Sequence, residues 1–200
     1  MRSVLSISVA LLLGLAGVAP AQTTGHGAPA PLSPVPEAGD ANAVIDGLFL
    51  ELKRAGNEQA AQRISRRIRQ EWSHSGSATI DLLMIRANKA VEDKDRGAAL
   101  DYLDEIVTLA PAYAEGWNLR ATVHFAGEDY ARAMADIDRV LRLEPRHFGA
   151  LAGMAAILNA TGHDRAAAAA YERLLDIYPM MRDAQTEFGK LADEMAGQAI

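Results

Sequence analysis

The sequence predicts an all-α protein, an α-solenoid in which helix hairpins stack along one axis. Three prolines, Pro111, Pro145 and Pro179, lie 34 residues apart, and each closes a run of the same design. A fixed period of this length is typical of stacked repeats. Half of the residues are apolar but only 6% are aromatic, which favours helices packed through small side chains over strands rich in β-branched and aromatic residues.

Residues 1–21 have the features of a secretory signal peptide. Arg2 supplies positive charge, Val4 to Ala19 form an apolar stretch, and Ala19-Pro20-Ala21 place small residues before a cleavage site. Because signal peptides combine these three features, we predict cleavage after Ala21 and a periplasmic location. The alternative is an uncleaved membrane anchor, although the apolar run is slightly short of the ~20 residues that span a bilayer.

Residues 22–41 are predicted to be an extended linker. They hold Pro29, Pro31, Pro34 and Pro36 among Ala, Gly and Ser, with few bulky apolar side chains to bury. Such a composition is typical of a tether between a leader and a folded domain. A proline-rich docking ligand is the alternative function for this segment.

Residues 42–77 are predicted to form a degenerate N-terminal helix pair. Two helical stretches, Ala43–Ala55 and Glu58–His74, flank a turn at Gly56-Asn57, and the second carries an apolar residue on each turn of one face. The pair lacks the closing proline, so we expect a degenerate repeat that caps the N-terminal end of the array. The apolar stripe consists of Ile64, Ile68 and Trp72.

Residues 78–179 hold three units, at about 80–113, 114–147 and 148–181. Equivalent positions carry the same kind of side chain, which gives each helix a packing face. Loops with glycine or acidic residues separate the two helices of each unit. Large residues occupy the fourth position (Leu83, Trp117, Leu151), alanines the eighth (Ala87, Ala121, Ala155) and twentieth (Ala99, Ala133, Ala167), and apolar residues the twenty-fourth (Leu103, Ile137, Tyr171) and twenty-seventh (Ile106, Val140, Leu174).

This pattern resembles the tetratricopeptide repeat (TPR) family over Ile80 to Pro179 without a gap. Alanine replaces the family's glycine at the eighth position, and His124 stands where Tyr is common. The resemblance implies a right-handed α-solenoid of three TPR hairpins, and the layout is similar to that of small exported bacterial TPR proteins. The family pattern is met best by Trp117, Ala121, Ala133, Ile137 and Pro145.

Residues 180–200 are predicted to form a capping helix. A fourth phase of the repeat begins at Arg182, with Phe188-Gly189 at its seventh and eighth positions and Gln185 at its fourth. Charged residues along the helix give it one polar face, and repeat arrays need such a polar outer face to stay soluble.

In the TPR family, the first helix of each unit lines a concave groove that holds extended peptides or partner helices. The resemblance therefore assigns the second, fifth, ninth and twelfth positions of each unit to a groove, where Asn side chains can bond a peptide backbone. Those positions are Asp81, Met84, Asn88 and Val91, then Glu115, Asn118, Thr122 and Phe125, then Gly149, Ala152, Ala156 and Asn159. The candidate partner-binding residues are Met84, Asn88, Asn118, Thr122, Phe125, Ala152, Ala156 and Asn159.

One TPR function is excluded by these residues. Some members of the family hold the carboxylate of a chaperone tail with Lys or Arg at set groove positions. Asn88 matches one such position, but Met84, Phe148 and Ala152 stand where cations are needed. An apolar side chain or an amphipathic helix suits Phe125 and the small residues of the third unit better. Alternatively, those small residues serve only close helix packing.

Charge is unevenly distributed along the chain. Residues 41–77 hold six Lys and Arg against four acids, whereas residues 78–200 hold thirteen against twenty. The cluster from Arg63 to Arg69 could meet an anionic membrane surface or an acidic partner, but it also fits the solvated face of a helix. Membrane contact is expected only through this helix or an uncleaved signal. The net charge of −6 argues against a nucleic-acid partner.

Catalytic and metal-binding patterns are lacking in the sequence. The chain has no Cys, and no Ser follows Ser77, so thiol chemistry is excluded and hydroxyl nucleophiles are scarce. The five His have no metal-ligand spacing. We therefore expect no enzyme activity, metal or cofactor. The sequence favours a periplasmic scaffold or adaptor that binds a peptide or helix of an envelope protein. The alternatives are a homo-oligomeric structural protein of the envelope or a regulatory subunit of an envelope enzyme.

Overall fold

The computed structural model describes residues 38–197. The predicted signal peptide and most of the predicted linker lie outside the described residues, as do residues 198–200. Within the described range all regular elements are α-helices, and none is both long and apolar enough to cross a membrane. The helices are α1 (Ala38–Lys53), α2 (Glu58–Ser73), α3 (Ala78–Glu92), α4 (Arg96–Leu109), α5 (Ala114–Ala126), α6 (Tyr130–Leu143), α7 (Phe148–Ala160), α8 (Asp164–Ile177) and α9 (Arg182–Gly197).

Three hairpins, α3–α4, α5–α6 and α7–α8, form the array, and this confirms the predicted all-α solenoid. The second helices begin at Arg96, Tyr130 and Asp164, each 34 residues after the last. Each first helix packs on the second helix of the hairpin before it, as α5 does on α4 and α7 on α6. The repeat therefore exists as one hairpin per period, stacked on its neighbour.

The alanines of the repeat are buried in all three hairpins. Ala87, Ala121 and Ala155 lie where the two helices of a hairpin meet, and their partners at the twentieth position are equally inaccessible. A methyl group at these places lets the helices approach closely, so the 3.6-residue spacing of small and large side chains becomes a packed core. The large residues at the twenty-fourth and twenty-seventh positions are buried as well.

The turn inside each hairpin repeats the same backbone conformation. Lys94, Glu128 and Gly162 occupy equivalent positions and all have a positive φ, of 60°, 58° and 73°. The left-handed region costs an ordinary residue about 1–2 kcal/mol and glycine nothing. The sequence therefore indicates this left-handed turn position clearly only at Gly162. Asp95 and Asp129 then cap the next helix, accepting hydrogen bonds from Ala98 N and Arg132 N at 3.0 and 3.2 Å.

The N-terminal helix pair does not cap the N-terminal end of the array, so that expectation is wrong. Leu48, Leu52 and Ile68 share one apolar core with residues of α7, α8 and α9, such as Phe148 and Leu191. The pair thus packs against the far end of the solenoid. Helix α1 also begins at Ala38, inside the segment 22–41 assigned to the linker, because no proline lies between Pro36 and Pro111 to prevent a helix.

Helix α9 covers the C-terminal end of the array. Ala184 and Leu191 are buried against the preceding hairpin, whereas the acidic residues and Lys190 on the other faces are exposed or half-buried. Gln185 donates a hydrogen bond to the carbonyl of Pro179 at 2.6 Å, which fixes the start of the helix. The polar outer face gives the solenoid a soluble end.

Candidate protein-binding groove

The residues assigned to the groove come together on the face formed by α3, α5 and α7. Helices α5 and α7 lie side by side there, and a Cβ on Gly149 would stand 3.8 Å from Asn118 Oδ1. Asn88, Thr122 and Phe125 are exposed on this face, whereas the other five candidates are half-buried: Met84, Asn118, Ala152, Ala156 and Asn159. The repeat register therefore selects one continuous surface.

Two of the asparagines already use an amide N–H within their own helix. Asn88 donates to the carbonyl of Met84 at 2.9 Å, and Asn118 donates to Glu115 Oε2 at 3.2 Å. Each amide keeps a second N–H and its oxygen for a ligand. The side chains are thus held in place and still able to bond a peptide backbone.

Helix α2 covers one edge of this surface, which the sequence analysis missed. Trp72 stacks on His147 with ring centroids 4.3 Å apart and an interplanar angle of 12°, and it also contacts Phe148 at 5.0 Å. Tyr113 stands at the same repeat position as His147, and its hydroxyl donates to the carbonyl of Ser73 at 2.9 Å. Burial raises the pKa of Tyr113, so the phenol stays protonated and keeps donating.

Polar contacts join the helix pair to the array at further points along the same edge. Arg146 binds Asp46 of α1 at 2.6 Å and lies over the ring of Phe49 at 4.2 Å. Arg182, at the start of α9, binds Glu58 at 2.9 Å. The pair therefore spans the junctions between consecutive hairpins, from Tyr113 to Arg182.

His147 links this edge to the groove. Its Nδ1 accepts a hydrogen bond from Ala150 N at 3.0 Å, capping α7. Since Nδ1 is the acceptor, Nε2 carries the proton and donates to Glu115 Oε1, 3.0 Å away. The same ring thus caps α7, bonds Glu115 beside the groove and stacks on Trp72 of α2.

The rest of the surface, at the C-terminal ends of α3 and α5, is not covered by any of the residues 38–197 that the structure describes. We call this part the open groove section: Asn88, Val91, Thr122, Phe125 and Ala126. Val91, Thr122 and Ala126 line a cavity of about 280 Å³, and Phe125, on the same face of α5, is 37% exposed. An aromatic ring beside an apolar recess is typical of the centre of a protein-binding surface.

Two cations line the same cavity. Lys94 and Arg96 stand at the α3–α4 turn, and the guanidinium of Arg96 lies against Gly127, where a Cβ would be only 2.2 Å from Cζ. Nearby ion pairs use other residues, Lys89 with Asp93 and Arg132 with Asp129. Among the described residues, Lys94 and Arg96 thus have no carboxylate partner, and they make the rim of the open groove section basic.

The basic cluster of α2 lies on the outer side of that helix. Arg63, Arg66, Arg67 and Arg69 are all exposed. Arg67 pairs with Glu51 at 3.3 Å, and Arg69 lies 5.8 Å from the ring of Phe148. Part of the cluster therefore supports the packing of the helix pair, and the remaining cations face solvent.

A buried charge cluster joins α4, α5 and α6 on the opposite side of the array. Arg120 binds both oxygens of Asp136, at 2.6 and 2.9 Å, and reaches Asp104 at 2.8 Å. The hydrogen bonds that Arg120 donates to Asp136 raise the pKa of Arg120. His124 is 6% exposed, and its Nδ1 has no hydrogen-bond partner among the described residues. The buried ion pair thus clamps α5 to α6 within one hairpin, and the contact with exposed Asp104 extends the cluster to α4 of the preceding hairpin.

His124 is expected to make stability depend on pH. Burial lowers the pKa of His124, against the opposing pull of Asp136. The unfolded chain therefore binds a proton at a higher pH than the folded chain does, so stability is full above the ordinary His pKa and is lost as the pH falls through it. Urea unfolding of the purified protein between pH 7.5 and 5.5 measures this loss, and a His124→Phe variant should show a smaller one. Equal losses in the two proteins would contradict the assignment, because the two chains differ only at residue 124.

No metal site is formed in the part of the chain that the structure describes. No group of three or more His, Asp or Glu side chains in residues 38–197 is arranged to hold a metal ion. His163 instead contacts Thr161 in the α7–α8 turn at 2.9 Å.

Comparison with known proteins is consistent with this architecture. No family model matches the chain. A TPR repeat-containing protein of Rhizobium etli is 53% identical over 153 residues, which cover 76% of this chain and 75% of the relative. Solved structures share the fold at low identity. One is the first TPR of Spaghetti (RPAP3) bound to the HSP90 peptide SRMEEVD, with a TM-score of 0.56 and 22% identity over 58% of this chain and 93% of that one. Another is MamA, with a TM-score of 0.55 and 16% identity over 79% of this chain and 84% of that one. The chain therefore belongs to the TPR repeat-containing proteins.

Proposed function

We propose that this protein is an exported, periplasmic interaction module that binds an envelope protein through the open groove section. The observation that carries the proposal is the combination found there: an exposed Phe125, an apolar cavity and two cations without a carboxylate partner among the described residues. The TPR structure with an HSP90 peptide supports it as a precedent for peptide binding on this fold. The signal-like residues 1–21 support the location.

The geometry favours a particular kind of partner segment. An apolar side chain can enter the cavity between Val91, Thr122 and Ala126, and contact with the ring of Phe125 removes further apolar area from water. A carboxylate nearby on the same segment can pair with Lys94 or Arg96. Such a pair adds mainly to the association rate and to specificity, because the cations lie at the rim. The partner segment is thus apolar and acidic, either extended or helical.

A site-specific crosslinking experiment tests this proposal. The chain has no Cys, so a photoreactive label can be attached to Thr122→Cys in the groove and to Thr108→Cys on α4 as a control. Both threonines are exposed and bond the carbonyl four residues earlier, at 3.0 and 2.7 Å, so the two substitutions should perturb the fold equally. We expect a discrete envelope-protein adduct from the groove label alone.

A second substitution connects that adduct to the groove chemistry. Adding Phe125→Ala should reduce the yield at least tenfold, because truncating an aromatic residue at the centre of an interface costs ~2 kcal/mol or more. Circular dichroism checks that the variant keeps its helices. The proposal would be refuted by the same adducts from Thr108→Cys, or by a yield that Phe125→Ala leaves unchanged.

A further inference from the structure

The outer face of α3 carries two large apolar side chains that the array does not cover. Leu82 is 48% exposed and Ile85 is 66% exposed. They are three residues apart and therefore lie side by side on one face of the helix. This face is the N-terminal end of the solenoid, since α1 and α2 pack elsewhere.

The repeat register shows what this face corresponds to inside the array. Leu82 and Ile85 hold the third and sixth positions of their unit. The third position is Gly116 in the second unit, and the sixth position is Gly153 in the third unit. A Cβ on Gly116 would lie 2.6 Å from Ile106, and one on Gly153 would lie 3.3 Å from Ile137. Both neighbours belong to the second helix of the preceding hairpin. The face of α3 that carries Leu82 and Ile85 thus corresponds to the face of α5 and α7 on which the second helix of the preceding hairpin packs.

The side chains at this end are suited to packing against a second copy of α3. Each later unit has a glycine at one of the two positions, whereas Leu82 and Ile85 both project outward here, as the knobs of a helix pair do. A two-fold axis brings the same patch of each copy together, so each copy supplies matching apolar side chains. The chain therefore offers its own complementary surface.

Charges beside the patch favour the same occupant. With Leu82 and Ile85 at the core positions of a parallel helix pair, Asp81 and Arg86 fall on opposite flanks, five residues apart. That spacing places Asp81 of one copy beside Arg86 of the other, which is the arrangement that forms ion pairs between paired helices. Arg86 is exposed, and Asp81 is half-buried with its Oδ1 accepting hydrogen bonds from Ser75 Oγ and Ser75 N at 2.6 and 3.3 Å. The other carboxylate oxygen of Asp81 is left to pair with Arg86 of the second copy, so pairing of two identical helices is attractive at the flanks as well as at the centre.

We propose that two copies of this protein associate through α3, with Leu82 and Ile85 at the centre of a symmetric interface. The inference goes beyond the proposed groove function and does not depend on it. The patch is smaller than the ~800 Å² per partner of a standard stable interface. The dimer is therefore weak and forms as the protein concentration rises.

Disulfide trapping tests the proposal on protein that is expressed from the full sequence and purified in the form that the cell produces. Because the chain is free of Cys, Ile85→Cys introduces a single thiol at the proposed two-fold axis. Leu109→Cys is the matched control, since Leu109 is also exposed, at 57%, but lies at the end of α4. We expect mild oxidation to link Ile85→Cys into a dimer at least tenfold faster than Leu109→Cys.

Sedimentation provides the reversible counterpart of this test. The weight-average mass of the unmodified protein should rise toward twice the monomer with concentration, and Ile85→Lys should abolish the rise while Leu109→Lys leaves it unchanged. A strict monomer at every concentration would overturn the proposal, as would equal crosslinking rates for the two cysteine variants. If residues 1–37 covered Ile85, the protein would stay monomeric, and the proposal would be overturned in the same way. A failed groove experiment would leave these outcomes unaffected.

Discussion

Replacing Trp72 by alanine is expected to destabilise the folded chain by ~3–5 kcal/mol. Its indole stacks on His147 and contacts Phe49 and Phe148, so truncation leaves a cavity where α2 meets the array. Protection from hydrogen exchange should fall in α1 and α2, and it should persist in α3 to α6. Hydrogen exchange followed by mass spectrometry of peptides measures both regions in one experiment.

The conservative change Trp72→Phe serves as the control. It keeps an aromatic ring against His147, so most of the protection in α1 and α2 should remain. Unchanged protection in Trp72→Ala would contradict the role of this residue as the anchor of the helix pair. Loss of protection throughout the chain would instead mean that the solenoid and the pair unfold as one cooperative unit.

Replacing Asp136 by asparagine is expected to cost ~3–5 kcal/mol. Asp136 is buried and accepts two hydrogen bonds from Arg120, so the variant leaves the guanidinium charge with Asp104 as its carboxylate partner. Asp104 is largely exposed, and exposed ion pairs contribute little. Urea unfolding at pH 7 measures the change.

Asp138→Asn is the matched control for this substitution. Asp138 lies two residues further along α6 and pairs with Arg142, but both side chains are more than half exposed. The control should change the free energy of unfolding by less than ~1 kcal/mol. Equal effects of the two substitutions would refute the idea that α5 and α6 are clamped by a buried ion pair. Combining Arg120→Met with Asp136→Leu should recover most of the lost stability, because no buried charge is then left alone.

Sequence reasoning could assign residues to one face of the array but not the exposure of each side chain. The register placed Thr122 and Phe125 on the same helix face, since helical spacing fixes which side chains share a face. The structure leaves both exposed, and their role in binding stays a prediction. Lys94 and Arg96 were missed as part of the same surface. They lie at the α3–α4 turn, outside the first-helix positions, and only the packing of α5 beside that turn brings them to the cavity.

The helix pair at the N terminus also shows what a local sequence pattern can predict and what depends on tertiary contacts. Its helices were predictable from the apolar stripe of Ile64, Ile68 and Trp72, but its position was not. The contacts that hold it join residues distant in sequence: 40 apart for Ser73 and Tyr113, and 124 apart for Glu58 and Arg182. Such contacts depend on the surface that the finished solenoid presents, which no local pattern encodes.

The sequence by itself determined the three hairpins, their buried alanines and the face that carries the groove residues. These features follow from periodicity, because a residue's place on a helix and the stacking of one hairpin on the next are set by spacing within a single unit. The tertiary structure alone decided that α2 covers one edge of the groove and that the open groove section lies at the ends of α3 and α5. The placement of the helix pair also leaves Leu82 and Ile85 exposed at the end of the array. The physical reason is that apolar area from distant segments is buried, and ion pairs between those segments form, only once the array has formed.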